Sequence, residues 1–469
     1  MRRVPATGTA PIHTRWFVVG LLVHVGLGVA GKSSALVSGG HALLTLGVGL
    51  FWAFTDRRPF RLAAWAAYVV GMEIFWRMTK APVPWEFGKY ALAFVLVIAG
   101  SRMPGGRSSW LPWAYFGLLL PGVVPTFINF SPQFASETIR FYLSGPLSLA
   151  VCGWYFSRLR MDESSLQRLQ VWLVLGVVTI ATIVLMGVRE LDTSDFSGGS
   201  AVHASGGYGP NQVSSILSLG AICAVLLSLQ LRRAGLLPYL LAAVAVWFLA
   251  HAVLSFSRTG LYLFAGSLMG AAPLLPLRRW LTARNGMLGA ALVVIGLGIW
   301  GYLVNFTGGR IVERFMNTDS TGRDRLVMQD LRLWMENPVF GGGIAVARME
   351  RGTASHTEYT RLLSEHGLLG LAAGGFLAAI GWVAWRARGQ PYIRSSLVAG
   401  YLWGMLFMAV TAMRTATPGF LIGMALARHE GQPRPRRIHS VGHTRKAHAH
   451  AQRRDEGDPV QDHRVVTLG

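Results

Sequence analysis

Fourteen apolar segments constrain what this chain can fold into more than any other feature. They lie near residues 16–31, 36–54, 62–76, 88–101, 110–126, 140–156, 171–187, 212–230, 236–254, 261–276, 286–304, 362–385, 395–412 and 416–427. A helix needs roughly 20 apolar residues to cross the hydrocarbon core of a bilayer. The segments near 88 and 416 are short for that, which leaves 12 to 14 crossings. With 52% of its 469 residues apolar and only 14% charged, the chain is expected to be an all-α, polytopic membrane protein.

A formal charge of +22 suggests nucleic acid until its location is considered. With the N-terminus placed in the cytoplasm, the inner segments before the tail carry 19 Lys or Arg against three acids, and the tail after Ala427 adds nine basic and five acidic residues. The outer segments hold 16 basic and 14 acidic residues. The net is therefore +20 inside and +2 outside. That is the positive-inside pattern of membrane topology, and it argues against a nucleic-acid partner. Both termini are expected in the cytoplasm. The first apolar run lacks a small-residue cleavage site and leads straight into another, so no cleavable signal peptide is expected. Cys152 and Cys223 fall inside apolar runs as packing residues.

The organisation expected is N-terminal transmembrane helices over 1–187, a second membrane region over 188–427 with a large outer loop at 305–361, and a basic tail over 428–469. The tail lacks apolar periodicity and reads as disordered. Its six His residues are irregularly spaced, without acids or Cys at ligand intervals, so no metal site is expected. A loop as long as 305–361 is usually functional. Within it, GRDRLVMQDLRLWMENP places Val327, Leu331 and Trp334 on one helical face and Arg325, Gln329, Arg332 and Glu336 on the other. Pro338 ends this amphipathic helix. The VFGGG that follows, with Gly341 and Gly343, permits a tight turn or a close backbone approach to a ligand.

The stretch RGTASHTEYTRLLSEHGLLGL, 351–371, packs His356, Glu358, Arg361, Glu365 and His366 into eleven residues just before an apolar run. In a helix beginning near Ser355, Glu358, Arg361 and Glu365 share a face and can form ion pairs, while His356 lies off that stripe. Other outer-side ions have two readings each. Arg258, in SFSRTG, is a snorkelling anchor or an anion ligand. Arg323 is a surface arginine or a ligand; Arg189 and Glu190 pair together or face substrate. Glu73, Arg77, Glu86 and Lys89 read as a local ion-paired group. Membrane-level charges are costly and each needs a partner or a task. A near-neutral base beside guanidinium groups suits chemistry on a phosphate-bearing substrate, because arginine binds phosphate bidentately and keeps its charge.

Four elements in order, SRTG at 257–260, GR at 322–323, NPVFGGG at 337–343 and HTEYTRLLSEHGLLGL at 356–371, resemble the O-antigen ligase and polymerase family, bacterial inner-membrane glycosyltransferases of the GT-C type. They span about 115 residues. The resemblance implies transfer of glycan from a polyprenyl-diphosphate carrier to a glycan or lipid-core acceptor at the outer face of the inner membrane, with inversion and without a metal or other cofactor. It further implies that Arg258 and Arg323 hold the diphosphate and that His356 activates the acceptor hydroxyl or orients the substrate. Arg189, Gly341, Gly343, Glu358, Tyr359, Arg361 and Glu365 are expected around the substrate. Where the family often has Asn after the His, this chain has Thr357. A ligase and a polymerase share the donor headgroup, so both readings stand. A flippase for lipid-linked glycan is the rival class, disfavoured because the sequence shows no internal repeat and its ions gather at the outer side.

Overall fold

The computed structural model describes residues 12–56, 58–103, 106–193, 196, 201–231, 234–276, 283–317 and 322–429. The expected tail disorder lies outside these residues from 430 onward. The described chain is almost entirely helical, with a single two-residue parallel strand pair, Arg160–Met161 with Arg428–His429.

All fourteen apolar segments fall on helices. These begin with α1 (Thr14–Ser33), α2 (Ala35–Thr55), α3 (Pro59–Met78) and α4 (Phe87–Ser101). A broken segment follows, made of α5 (Leu111–Leu119), a 3₁₀ turn at Leu120–Gly122 and α6 (Val123–Asn129), and then α7 (Pro132–Phe156) and α8 (Glu163–Val188). Next come α9 (Pro210–Gln230), α10 (Leu237–Leu254), α11 (Arg258–Ala271) and α12 (Ala283–Phe306). The short helices α13 (Arg310–Met316), α14 (Arg323–Glu336) and α15 (Val346–Arg351) lie in the long loop. The chain closes with α16 (Glu358–Arg386), α17 (Pro391–Val410) and α18 (Ala416–Met424). Among the described residues, eight of these segments are long and apolar enough to cross a membrane. The others fall short in length, as α18 does with nine residues, or carry ions, as α3 does with Arg61, Glu73 and Arg77.

Local sequence explains the helix starts. Proline in the first turn of α3, α7, α9 and α17 needs no amide partner there and already holds the helical φ. Asp162 caps α8 by accepting the Ser165 N–H at 2.9 Å. Small residues then set the packing. Gly71 of α3 lies against Leu173 and Gly176 of α8, and Gly419 and Gly423 of α18 lie against the α7 backbone at Leu149 and Gly153. Such close approach lets even the nine-residue α18 dock firmly. Polar groups among the first three helices satisfy one another. The Trp76 indole donates to His41 Nδ1 at 3.1 Å, His41 Nε2 meets the Tyr68 hydroxyl at 3.0 Å, and Tyr68 meets His24 Nε2 at 3.1 Å. Outward faces of α1, α2 and α12 are apolar, with Leu22, Leu44, Phe51, Val294 and Leu297 exposed, as lipid contact requires.

The connections sort into two sets, each held by contacts at its own end of the bundle. At one end Arg428 N–H donates to the Leu159 carbonyl at 2.9 Å, Arg158 donates to Gly100 O at 2.7 Å, and Arg102 donates to Phe54 O at 3.0 Å. At the other, Lys32 pairs with Glu190 at 2.8 Å, Asn129 donates to Gly342 O at 3.4 Å, and Arg77 donates to Arg414 O at 3.0 Å. These are the same two sets that the charge distribution separates. The second contains His356.

Candidate functional site

The ionisable stretch runs into the first turns of α16. Thr357 caps the helix by accepting the Thr360 N–H at 3.1 Å, so the helix begins at Glu358, and His356 precedes it. Glu358, Arg361 and Glu365 are buried and bond together: Arg361 donates to Glu365 at 2.7 Å and to both carboxylate oxygens of Glu358. Arg361 also lies over the Tyr142 ring at 5.4 Å. The spacing of three and four thus yields an internal triad, and these groups are occupied by one another. Tyr359 donates its hydroxyl to Met405 O at 2.8 Å, tying α16 to α17.

The helix then breaks at Gly367, whose φ of 59° and ψ of −136° are non-helical. Into the break fits the NPVFGGG turn. Leu368 N–H donates to Pro338 O at 2.9 Å, Gly342 N–H donates to Ser364 O at 2.9 Å, and Gly343 N–H donates to Glu365 O at 3.2 Å. A side chain at Gly341 would strike the Glu365 backbone, and one at Gly343 would strike Thr126. The glycines therefore serve a close approach to the chain's own backbone. Thr126 completes the joint by accepting the Ile344 N–H at 2.7 Å.

The amphipathic helix α14 packs against α15 and α16. Its buried residue is Asp330, which lies on the same stripe as Val327, Leu331 and Trp334. Asp330 accepts from Arg351 at 2.7 Å, from the Ser355 hydroxyl at 2.9 Å and from the Thr360 hydroxyl at 2.6 Å. With Ser355 anchored to Asp330 and Thr357 capping α16, both neighbours of His356 are fixed. The imidazole itself is half-buried.

Arg258 opens α11 from a constrained loop. Phe256 has a φ of 54°, a left-handed conformation that costs a non-glycine residue ~1–2 kcal/mol. Arg314 donates to its carbonyl at 3.1 Å, and the Ser257 hydroxyl donates to Asn211 at 2.8 Å. The Arg258 guanidinium donates to Asn317 O. Arg323, the first residue of α14, feels both Arg258 and Arg314, and burial together with these two cations lowers its basicity. His356 is held below its usual 6.5 by burial and then by Arg414, Arg323 and Arg351, with Asp330 opposing. Arg323 is thus common to both neighbourhoods, and the sequence-expected trio of Arg258, Arg323 and His356 belongs to one basic zone.

Other expected residues are placed differently. Arg189 is exposed at the end of α8, and Glu190 beside it pairs with Lys32. The group Glu73, Arg77, Glu86 and Lys89 is the buried ion network its spacing suggested: Arg77 bonds Glu73 at 2.5 Å and approaches Glu86 at 3.9 Å, and Lys89 pairs with Glu86. A cleft of about 40 Å³ lies beside it, lined by Trp76, Arg77, Lys80 and Trp85, with room for a few waters. Among the described residues no three His, Cys, Asp or Glu side chains are grouped to hold a metal.

Four participants were not singled out in the sequence: Arg314, Arg351, Asp330 and Arg414. Arg414 carried a usable signal. It is a lone cation between two apolar helices on the side that the positive-inside rule leaves poor in Arg, a position where a charge needs a reason. Comparison with known proteins adds no assignment to this geometry, since no family model, no curated protein and no solved structure matches the chain.

Proposed function

We propose that this chain is a membrane glycosyltransferase of 12 to 14 crossings that moves glycan from a polyprenyl-diphosphate donor to a hydroxyl acceptor, with the His356 end of the bundle at the outer face of a bacterial inner membrane. The observation that carries this reading is a half-buried imidazole that feels Arg414, Arg323 and Arg351, opposed by Asp330, with Arg323 in turn feeling Arg258 and Arg314. A permanent cluster of guanidinium groups stabilises the negative charge that grows on a diphosphate leaving group. His356, whose neutral form is favoured by burial and then by its cationic neighbours, is suited to take the proton of an attacking hydroxyl. The donor is half lipid and half charged headgroup, which fits a site where a polar roof of loop and short helices meets apolar spans.

The test is deletion of the gene in its host, followed by a size ladder of surface and carrier-linked glycans and complementation with wild type, His356→Ala and the double variant Arg258→Ala/Arg323→Ala. Full-length polymer stranded on its carrier identifies a ligase. Single repeat units on the acceptor identify a polymerase. Restoration of a normal ladder by the double variant would overturn the role given to the arginines, and an unchanged ladder on deletion would remove the glycosyltransferase reading itself.

A further inference from the structure

We propose that Arg414 is a further anion-binding residue of the His356 site, held toward it by a clamp in which the buried carboxylates of Glu73 and Glu358 and the guanidinium of Arg77 grip the backbone on either side of it. The segment Thr411–Thr415 joins α17 to α18 and is not helical. Its peptide groups would ordinarily turn to water. Instead Met413 N–H donates to Glu358 at 3.0 Å, Arg414 C=O accepts from Arg77 at 3.0 Å, and Ala416 N–H donates to Glu73 at 2.7 Å. Three successive grips, all from buried ionic side chains, fix the path of one short loop. Hydrogen bonds to charged groups are the strong ones, and in a buried setting they hold geometry tightly.

What the clamp presents is a cation. The Arg414 guanidinium reaches within 3.5 Å of the Ser355 carbonyl, beside His356. Among the described residues, buried Arg77, Lys89 and Arg361 each pair with a carboxylate, Arg77 with Glu73, Lys89 with Glu86, and Arg361 with Glu358 and Glu365, whereas Arg414 has the Ser355 carbonyl instead. Among the described residues no carboxylate lies within ion-pair distance of half-buried Arg414, and it joins Arg323 and Arg351 as a cation acting on His356. Holding a guanidinium rigidly among like charges is unfavourable unless an anion uses it. Glu73 and Glu358 do not touch that anion; they are positioning residues that act through Arg414. The chemical class of ligand is a phosphate or diphosphate group, which rests on the donor proposed above.

The experiment uses the full-length protein in lipid nanodiscs with inorganic pyrophosphate as probe, followed by equilibrium dialysis, and His356 followed by NMR titration with His356→Gln for assignment. Groups facing His356 are Arg414, Arg323 and Asp330 of α14, and Arg351 of α15. Arg414→Gln is expected to weaken pyrophosphate binding by about tenfold or more, the loss of one charge-assisted contact, while Lys32→Gln leaves it unchanged. Ala416→Pro removes the N–H that Glu73 holds, and its ring must be accommodated at a fully buried position. It sits at the first position of α18, where proline is tolerated, and is preceded by extended Thr415. It is expected to weaken binding and to raise the His356 titration, a readout that mere loss of stability does not move. Glu73→Gln should act in the same direction, and Ala416→Pro keeps the test open should that variant fail to fold. Binding unchanged in Arg414→Gln but lost in Arg258→Gln/Arg323→Gln overturns the role of Arg414 and leaves the glycosyltransferase reading standing. No pyrophosphate binding by wild type sinks the anion role of Arg414, whatever the glycan ladder shows.

Discussion

His356 is fixed on both sides in sequence and surrounded in space by guanidinium groups, and this determines how its proton must behave. Burial and the cations Arg414, Arg323 and Arg351 all favour the neutral ring. A reaction that needs neutral His356 should therefore keep its rate as pH falls through 6.5, with the acid limb of its pH profile below that value. Removing one cation with Arg414→Gln raises the pKa, so the limb moves up toward 6.5; an unmoved limb would mean that His356 is not the titrating group. Asp330 makes the second prediction at this scale. Asp330→Ala leaves Arg351 partly buried without its carboxylate partner and the Ser355 hydroxyl without its acceptor, and removing one member of a buried pair costs about 3–5 kcal/mol. Hydrogen exchange should show residues 352–360 losing protection, and unchanged protection would refute the anchoring role. The i, i+3, i+7 spacing of Glu358, Arg361 and Glu365 was legible from sequence because local ion pairs depend on helical period alone. Asp330 was hidden because a carboxylate on an apolar stripe looks like an interruption until its three donors are known.

At the scale of elements, α16 shows what periodicity does and does not reveal. The apolar run Leu368–Trp385 marks the span, and the polar turns before it mark its mouth, yet no period indicates the break between them. The break arises because Pro338 and Val339 offer carbonyls to a helix interrupted at Gly367. A Cβ on Gly367 would lie 2.5 Å from both carbonyl oxygens, and its φ is positive. Gly374, in the same helix, meets nothing within 4 Å. Gly367→Ala should thus lower folded yield and thermal stability sharply, whereas Gly374→Ala should be neutral or raise helix stability by about 0.5–1 kcal/mol. Equal behaviour of the two variants in a thermal unfolding assay would show that the joint with NPVFGGG contributes little. The expected amphipathic α14 is present and packs against α16, where Asp330 bonds Ser355 and Thr360.

For the whole molecule, the fourteen apolar runs fall on helices, eight of them long and apolar enough to cross a membrane among the described residues, and the charge distribution offers an expectation for which connections share an end. Both follow from hydrocarbon and membrane surface acting on local composition, so both are readable in one dimension. The placement of Arg414 is not, since the bonds that fix its segment span 55 to 343 residues of the chain. Orientation has a direct test. With Cys152 and Cys223 buried, a thiol introduced at exposed Thr353 should react with a membrane-impermeant maleimide on intact inner-membrane spheroplasts, and one at exposed Arg388 should react only after permeabilisation. The reverse pattern would invert the topology.

The grip of Glu73 on Ala416 also bears on the order in which the protein is made. Glu73 enters the membrane early in synthesis, and its partner is among the last described residues to emerge. Until the final hairpin inserts, Arg414 has no fixed direction and the buried carboxylate of Glu73 lacks one of its donors. A partly inserted chain therefore lacks the geometry on which the proposed site depends, and that geometry is complete only when the two distant parts of the polypeptide meet.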